Sequence, residues 1–273
     1  MNLTDPAKIK AATTYNAAAD NYDAGFWDRY GRRTVARLNL SRGARVLDVA
    51  CGTGASTLPA AEAVGSDGYV VAVDLAENML QLGRAKASAR GLSNVEFRLG
   101  DMTALGYPDR HFDAVVCVFG IFFAPDMQAL VAELWRMVKP SGTLAITTWG
   151  ERIFEPMYSR WNEAVRAERP DLYAAFNPWD RITDPAAVAQ LFKEAGVSPV
   201  DVVAESGEQR LSIPEDWWTI VLGSGLRWTV EELGSEAAER VKRHNLAWAR
   251  SSAVDAVETN VIYAVATKPT AVS

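Results

Sequence analysis

The 273-residue sequence predicts a doubly wound α/β fold, a mostly parallel sheet with helices on both faces. Three observations predict it. Valine-rich apolar runs, each too short for a helix, recur through the first half of the chain with helical patterns between them. Three of these runs carry an acid at or near the carboxyl end: Asp48, Asp74 and Asp101. The first run breaks at once into Gly52-Thr53-Gly54.

The elements follow in order. Ala11 to Asp20 is alanine-rich and predicts a helix, and Phe26-Trp27-Asp28-Arg29-Tyr30 leads into a second one reaching Leu38. Val46 to Val49, preceded by Gly43, is the first buried strand, and Gly52 and Gly54 turn the chain into a helix starting near Ser56. Glycines at such a turn permit unusual dihedrals and let a ligand approach with no Cβ in the way. That ligand sits at a helix N-terminus beyond the carboxyl end of the strand. Tyr69 to Val73 is the second strand, ending in Asp74, where an acid grips ribose hydroxyls. Glu77 to Arg90 is a helix with Met79, Leu80, Leu82 and Ala85 at helical spacing and Gly91 as its stop; Ala76 leaves it without a capping hydroxyl. Asn94 to Met102 is the third strand and Phe112 to Val118 the fourth. A helix from Asp126 to Val138 and a turn at Pro140 and Gly142 lead into a fifth strand ending at Trp149.

The glycine loop alone fits two readings. Dinucleotide-binding enzymes place G-x-G-x-x-G at this turn, and here Thr57 holds the sixth position. With the third, fourth and fifth strands added, the chain resembles the class I S-adenosylmethionine-dependent methyltransferases, and is similar to the ubiquinone and menaquinone C-methyltransferase type. The likeness spans roughly residues 12 to 150, with the nucleotide-site segments in order. It implies a Rossmann-like seven-stranded sheet whose last strand is antiparallel, and S-adenosyl-L-methionine as cofactor. It also implies roles. Asp48 and the Gly52 to Gly54 backbone would serve the methionine end, with Cys51 packed beside the cofactor. Asp74 would hold the ribose diol, Leu75 and Met102 would sandwich the adenine, and Asp101 would accept from the adenine amine. Val118 and Phe119 would line the sulfonium side, and Met79 joins the cofactor-site residues while its spacing also predicts packing on the sheet. In relatives the first helix, with Tyr15 and Tyr22, closes over the cofactor.

Composition narrows the class further. With 49% hydrophobic residues the chain can bury a full core. A net charge of −6 and a pI near 5.1 argue against a nucleic-acid surface. No stretch has the run of about 20 apolar residues that a membrane helix needs. The start of the sequence lacks signal-peptide regions, which predicts a cytoplasmic protein. Two cysteines, Cys51 and Cys117, and two histidines, His111 and His244, are too few for a metal constellation, so no metal is expected.

After Gly150 the sequence is individual. Asp184 to Gly196 reads as a helix, Val197 to Glu205 as a sixth strand and Glu258 to Thr267 as the last. The expected organisation is therefore a cofactor-binding core with N-terminal helices over 1–150, continued at 184–210 and 256–273. Two insertions, 151–183 and 211–255, would form a mostly helical cap. Six of the nine tryptophans lie in those insertions, where they either build the cap's own core or wall a pocket for a planar or greasy ligand.

Substrate contacts are expected from Phe26, Phe122, Trp149, Trp179, Arg181 and Trp217. Methyl transfer from a sulfonium needs chiefly alignment, so a general base is optional. Tyr22 and His244 are the candidates for that role or for orienting the acceptor. The leading expectation is a methyltransferase acting on a small, mostly apolar or aromatic metabolite, as a monomer or homodimer. Two alternatives share every motif: a cofactor-binding regulatory pseudoenzyme, and a cyclase or rearrangement catalyst on the same fold.

Overall fold

Five strands from the first half of the chain lie parallel: β1 (Arg45–Val49), β2 (Tyr69–Asp74), β3 (Val95–Leu99), β4 (Phe112–Val118) and β5 (Val138–Trp149). The computed structural model describes residues 5–22, 26–173 and 177–270. Two further strands, β6 (Asp201–Glu205) and β9 (Val261–Thr267), complete a seven-stranded sheet of order β3-β2-β1-β4-β5-β9-β6, in which β9 runs antiparallel to both neighbours. β7 (Glu208–Arg210) and β8 (Ala256–Glu258) pair separately as a short antiparallel ribbon. The expected last strand is thus cut short, because residues 256–258 pair with the ribbon. The sixth starts later than expected, because Gly196 (φ 75°) ends the preceding helix and the Val197 amide bonds back to the Phe192 carbonyl.

The chain runs outward from β1 to β3 on one side and from β4 to β5 on the other. The switch point therefore lies between the carboxyl ends of β1 and β4, where Val49 stands opposite Cys117. β1 is buried at four consecutive positions, including Asp48, as a strand covered on both faces must be.

The helices are α1 (Pro6–Tyr22), α2 (Asp28–Ala36), α3 (Thr57–Val64), α4 (Glu77–Ala89), α5 (Met127–Met137), α6 (Met157–Glu168), α7 (Pro185–Glu194), α8 (Glu215–Leu222) and α9 (Arg227–Ser251). Gly234 kinks α9 with a positive φ of 74°. α6, α8 and α9 come from the two surplus stretches and pack on one another: Trp161 meets Trp218 at 5.8 Å between ring centroids, and Trp217 Nε1 donates to Asn245 Oδ1 at 3.1 Å. Their apolar residues join the sheet's in one cluster, Trp217 and Val241 being continuous with Val115, Leu144 and Ile262. The helical layer shares the core of the sheet.

α1 crosses the edge of the cofactor half. Ala18 and Ala19 pack against Ala76 and Met79. Asn16 Oδ1 accepts from the Asn78 amide at 2.8 Å, in the first turn of α4. Ala76 gives α4 no side-chain cap, and α1 supplies one from outside the helix.

Candidate active site

A cleft of about 1070 Å³, counting its open mouth, lies over the carboxyl ends of β1, β2 and β4. At one end it is walled by Asp74, Leu75, Met79, Gly100 and Met102. At the other lie Val118, Phe119, Phe122, Trp149 and Trp179. Every one of these except Gly100 is a residue the sequence marks for the site.

Asp74 is held in place by the backbone. Its Oδ2 accepts from the Gly52 amide at 2.8 Å and its Oδ1 from the Ala76 amide at 2.9 Å. Burial raises its pKa and these amide bonds oppose the rise. Each oxygen keeps a lone pair, and the carboxylate borders the cleft, so it can accept a vicinal diol. Gly52 (φ 54°) turns the chain beside it with no side chain in the space. Asp74, the apolar pair Leu75 and Met102, and Gly52 together fit the ribose, base and chain of S-adenosylmethionine.

Asp48 acts from behind this loop. It is fully buried and does not border the cleft; its Oδ2 accepts from Ser56 Oγ at 2.7 Å and Thr57 Oγ1 at 2.6 Å. Oδ1 has no partner among the described residues. Burial pushes its pKa up to about 7, against the two hydroxyl bonds. The carboxylate thus ties the glycine loop to the start of α3. Cys51 and Gly54 also stand behind the wall. Burial pushes the Cys51 thiol well up, and Gly54 (φ 90°) packs against Leu58 and Phe97.

Asp101 differs from expectation. It lies between two lining residues, yet its carboxylate turns to α1: Oδ2 accepts from Lys8 Nζ at 2.6 Å, and Oδ1 from the Thr103 amide and hydroxyl, each at 2.8 Å. Burial would raise its pKa, and the Lys8 and Thr103 bonds outweigh that and hold it below the usual carboxylate range. It anchors α1 and does not border the cleft.

At the methyl end the backbone is strained. Ala50 (φ 56°), Phe119 (φ 54°) and Phe154 (φ 61°) are non-glycine residues at positive φ, and all three line the cleft. Gly120 allows the loops after β1 and β4 to meet, since a Cβ there would lie 2.5 Å from the Cβ of Ala50. Phe119 stacks on Trp149 at 3.8 Å and 17°, and Trp27 meets both rings at 5.6 and 5.7 Å. Trp179 meets Phe122 edge-on at 5.9 Å.

Besides Asp48, Cys51, Gly54 and Asp101, four residues expected at the acceptor are not brought to the cleft. Trp217 is completely buried, with its indole N–H bonded to Asn245, so it is a core residue of the helical layer. Phe26 lies behind the wall, edge-on to Trp27 at 4.8 Å. Arg181 is exposed and does not line the cleft, and His244 is exposed on α9, away from the lining residues. Tyr22 ends α1, and its side chain lies outside the described residues.

Several lining residues were not singled out for the site: Ala11, Ala12, Phe154, and the Ser224-Gly225-Leu226 link between α8 and α9. The link bears no motif; only the packing of α8 and α9 against α1 brings it over the site.

Comparison with known proteins agrees with this geometry. Residues 46–142 match a family model described as a methyltransferase domain. The chain is 31% identical over 193 residues to a demethylmenaquinone methyltransferase of Listeria monocytogenes, an alignment covering 66% of this chain and 80% of that protein. The YcgJ protein of Bacillus subtilis superposes with a TM-score of 0.59 at 17% identity, covering 88% of this chain and 99% of that one. A SAM-dependent methyltransferase from Aquifex aeolicus gives 0.52 at 24% identity, covering 74% and 93%. Glycine loop, sheet order and relatives agree: the chain belongs to the class I S-adenosylmethionine-dependent methyltransferases.

Proposed function

We propose that this methyltransferase acts on a small, mostly apolar or aromatic acceptor held in the aromatic half of the cleft. The observation that supports it is the lining itself, where Trp27, Phe119, Phe122, Trp149, Phe154 and Trp179 meet on one side of the Asp74 site. The demethylmenaquinone methyltransferase relatives, named for a quinone, point to the same acceptor class.

S-adenosylmethionine supplies a methyl group already activated on a sulfonium. The chain's part is to bind, orient and exclude water. Asp74 takes the ribose hydroxyls, and Leu75, Met79 and Met102 flank the base. The stacked Phe119 and Trp149 form a rigid wall that sets the acceptor's approach, because in-line transfer tolerates little displacement. His, Lys, Cys and Glu are absent from the described lining, whose proton-accepting side chains are Asp74, Tyr15 and Tyr158. In this reading the layer formed by residues 151–183 and 211–255 determines acceptor choice. The acidic pI argues against a nucleic-acid partner, and in this reading the protein works in the cytoplasm as a monomer or homodimer.

The test is incubation with methyl-labelled S-adenosylmethionine and a fractionated metabolite extract, followed by mass spectrometry. Label should appear in an apolar or aromatic small molecule. Calorimetry with S-adenosylhomocysteine accompanies it: Asp74→Ala should lose about 1.5–3 kcal/mol of affinity, roughly 10- to 150-fold. Label confined to nucleic acid or protein, or equal affinity in the variant, would refute the assignment.

A further inference from the structure

Nothing in the described fold requires the glycine at position 225. Gly225 is the first central residue of a turn closed by the Arg227 amide, which donates to the Ser224 carbonyl at 3.1 Å. The second central residue, Leu226, is right-handed (φ −65°, ψ −22°), and Gly225 has no positive φ, so the turn is of a form open to most residues. Outside its chain neighbours, a Cβ built on Gly225 would meet one described atom within 4 Å, the Tyr15 hydroxyl oxygen at 3.6 Å, which is an ordinary contact. Every other described glycine either has a positive φ or would bring a Cβ within 3.1 Å of a neighbouring atom. A glycine that the backbone does not need costs conformational entropy on folding.

What the missing side chain leaves open is the cleft. Gly225 and Tyr15 both line it. The link that carries Gly225 is held to α1: a Cβ on Gly223 would lie 2.8 Å from the Asn21 carbonyl oxygen, and Arg227 Nη1 donates to Asn21 Oδ1 at 3.3 Å. A side chain added at 225 would therefore take its room from the cleft and not from a shift of the link. Tyr15 marks the place. It packs with Ala18, Ala19 and Met79 on the cofactor side and meets Phe123 edge-on at 5.7 Å, and Phe123 adjoins Phe122 of the aromatic wall at 4.8 Å. Gly52, Asp74, Leu75 and Met102, which fit the cofactor, have no atom within 4 Å of the Cβ position.

We infer that Gly225 is a specificity-determining residue, whose missing side chain gives bulky acceptors room beneath the link between α8 and α9. The inference rests on the acceptor reading above, which assigns acceptor choice to the layer that includes this link. A side chain at 225 should narrow the accepted range toward single-ring molecules and leave cofactor binding alone.

The test titrates 4-methylphenol and 4-phenylphenol, one ring against two, by ligand-observed NMR on wild type, Gly225→Ala and Gly225→Leu loaded with S-adenosylhomocysteine. Gly225→Leu should weaken 4-phenylphenol binding about tenfold or more, the usual scale of a steric overlap, with 4-methylphenol and S-adenosylhomocysteine changed by less than about twofold. Gly225→Ala should weaken 4-phenylphenol by less, and its melting temperature should hold or rise, since alanine at a compatible backbone position restricts the unfolded chain. The alanine variant carries the size comparison alone if the leucine variant does not fold. A lowered melting temperature in Gly225→Ala would mean that the fold itself needs the glycine, and would overturn the inference. So would 4-phenylphenol binding unchanged in the folded variants, or a loss shared equally by the smaller probe or by S-adenosylhomocysteine. Wild-type protein that binds neither probe would refute the acceptor reading and the inference together. Methyl label confined to nucleic acid or protein, with the two probes still discriminated at position 225, would refute that reading alone.

Discussion

Asp48 shows how much of a single residue's surroundings lies beyond its place in a motif. Its position at the end of the first strand is legible in the sequence, because a short apolar run running into glycines has few other meanings. Its partners are not, since Ser56 and Thr57 reach it only through the path of the loop. A buried carboxylate with one oxygen unpartnered among the described residues has a consequence for stability. Its pKa of about 7 lies above the ordinary 3.8, so the folded protein keeps a proton that the unfolded chain gives up. That contribution is complete below the unfolded pKa and is lost as pH rises through the folded one, so stability should fall between about pH 4 and pH 7. Asp48→Asn is neutral throughout and should lack this part of the decline. Urea midpoints across that range measure it, and parallel curves for the two proteins would refute it.

At the scale of elements, α1 is fastened to the cofactor half by contacts that local pattern does not reveal. The sequence marks Ala76 as a missing cap, yet the replacement comes from Asn16, 62 residues away in the chain. Alanine spacing makes the helix legible; its docking depends on which side of the sheet it meets. Asn16→Ala should weaken the junction of α1 with α4 by about 0.5–2 kcal/mol, the usual cost of a lost cap. Faster hydrogen exchange of α1 amides, with α5 amides unchanged, is the expected result, and Asn16→Asp should restore protection. Exchange unchanged in Asn16→Ala would mean that the Lys8 to Asp101 pair and the alanine packing suffice.

Across the whole molecule, the parallel sheet and the glycine site were legible because their signals are local and periodic, whereas the roles of the tryptophans were not. Trp179 and Trp217 look equivalent in the sequence, but one borders the cleft and the other is sealed between α8 and α9. Which side of a helix faces a neighbouring helix depends on the assembled layer, and His244 falls on the outside for the same reason. The two indoles should therefore behave differently. Trp217→Ala should cost about 3–5 kcal/mol of stability, the common penalty for truncating a buried aromatic, and should leave a cooperative but lowered thermal transition. Trp179→Ala should keep most of the melting temperature and lose acceptor turnover; equal melting temperatures in the two variants would contradict this division. The position of β9 has a different kind of consequence. Residues 261–267 lie between β5 and β6, so until that segment has been made β6 has no partner in the sheet and β5 is paired on one side only, with β4. During synthesis, β5 therefore presents an open edge on the ribosome for most of the time it takes to translate residues 150–260, a window in which the nascent chain is exposed to mispairing.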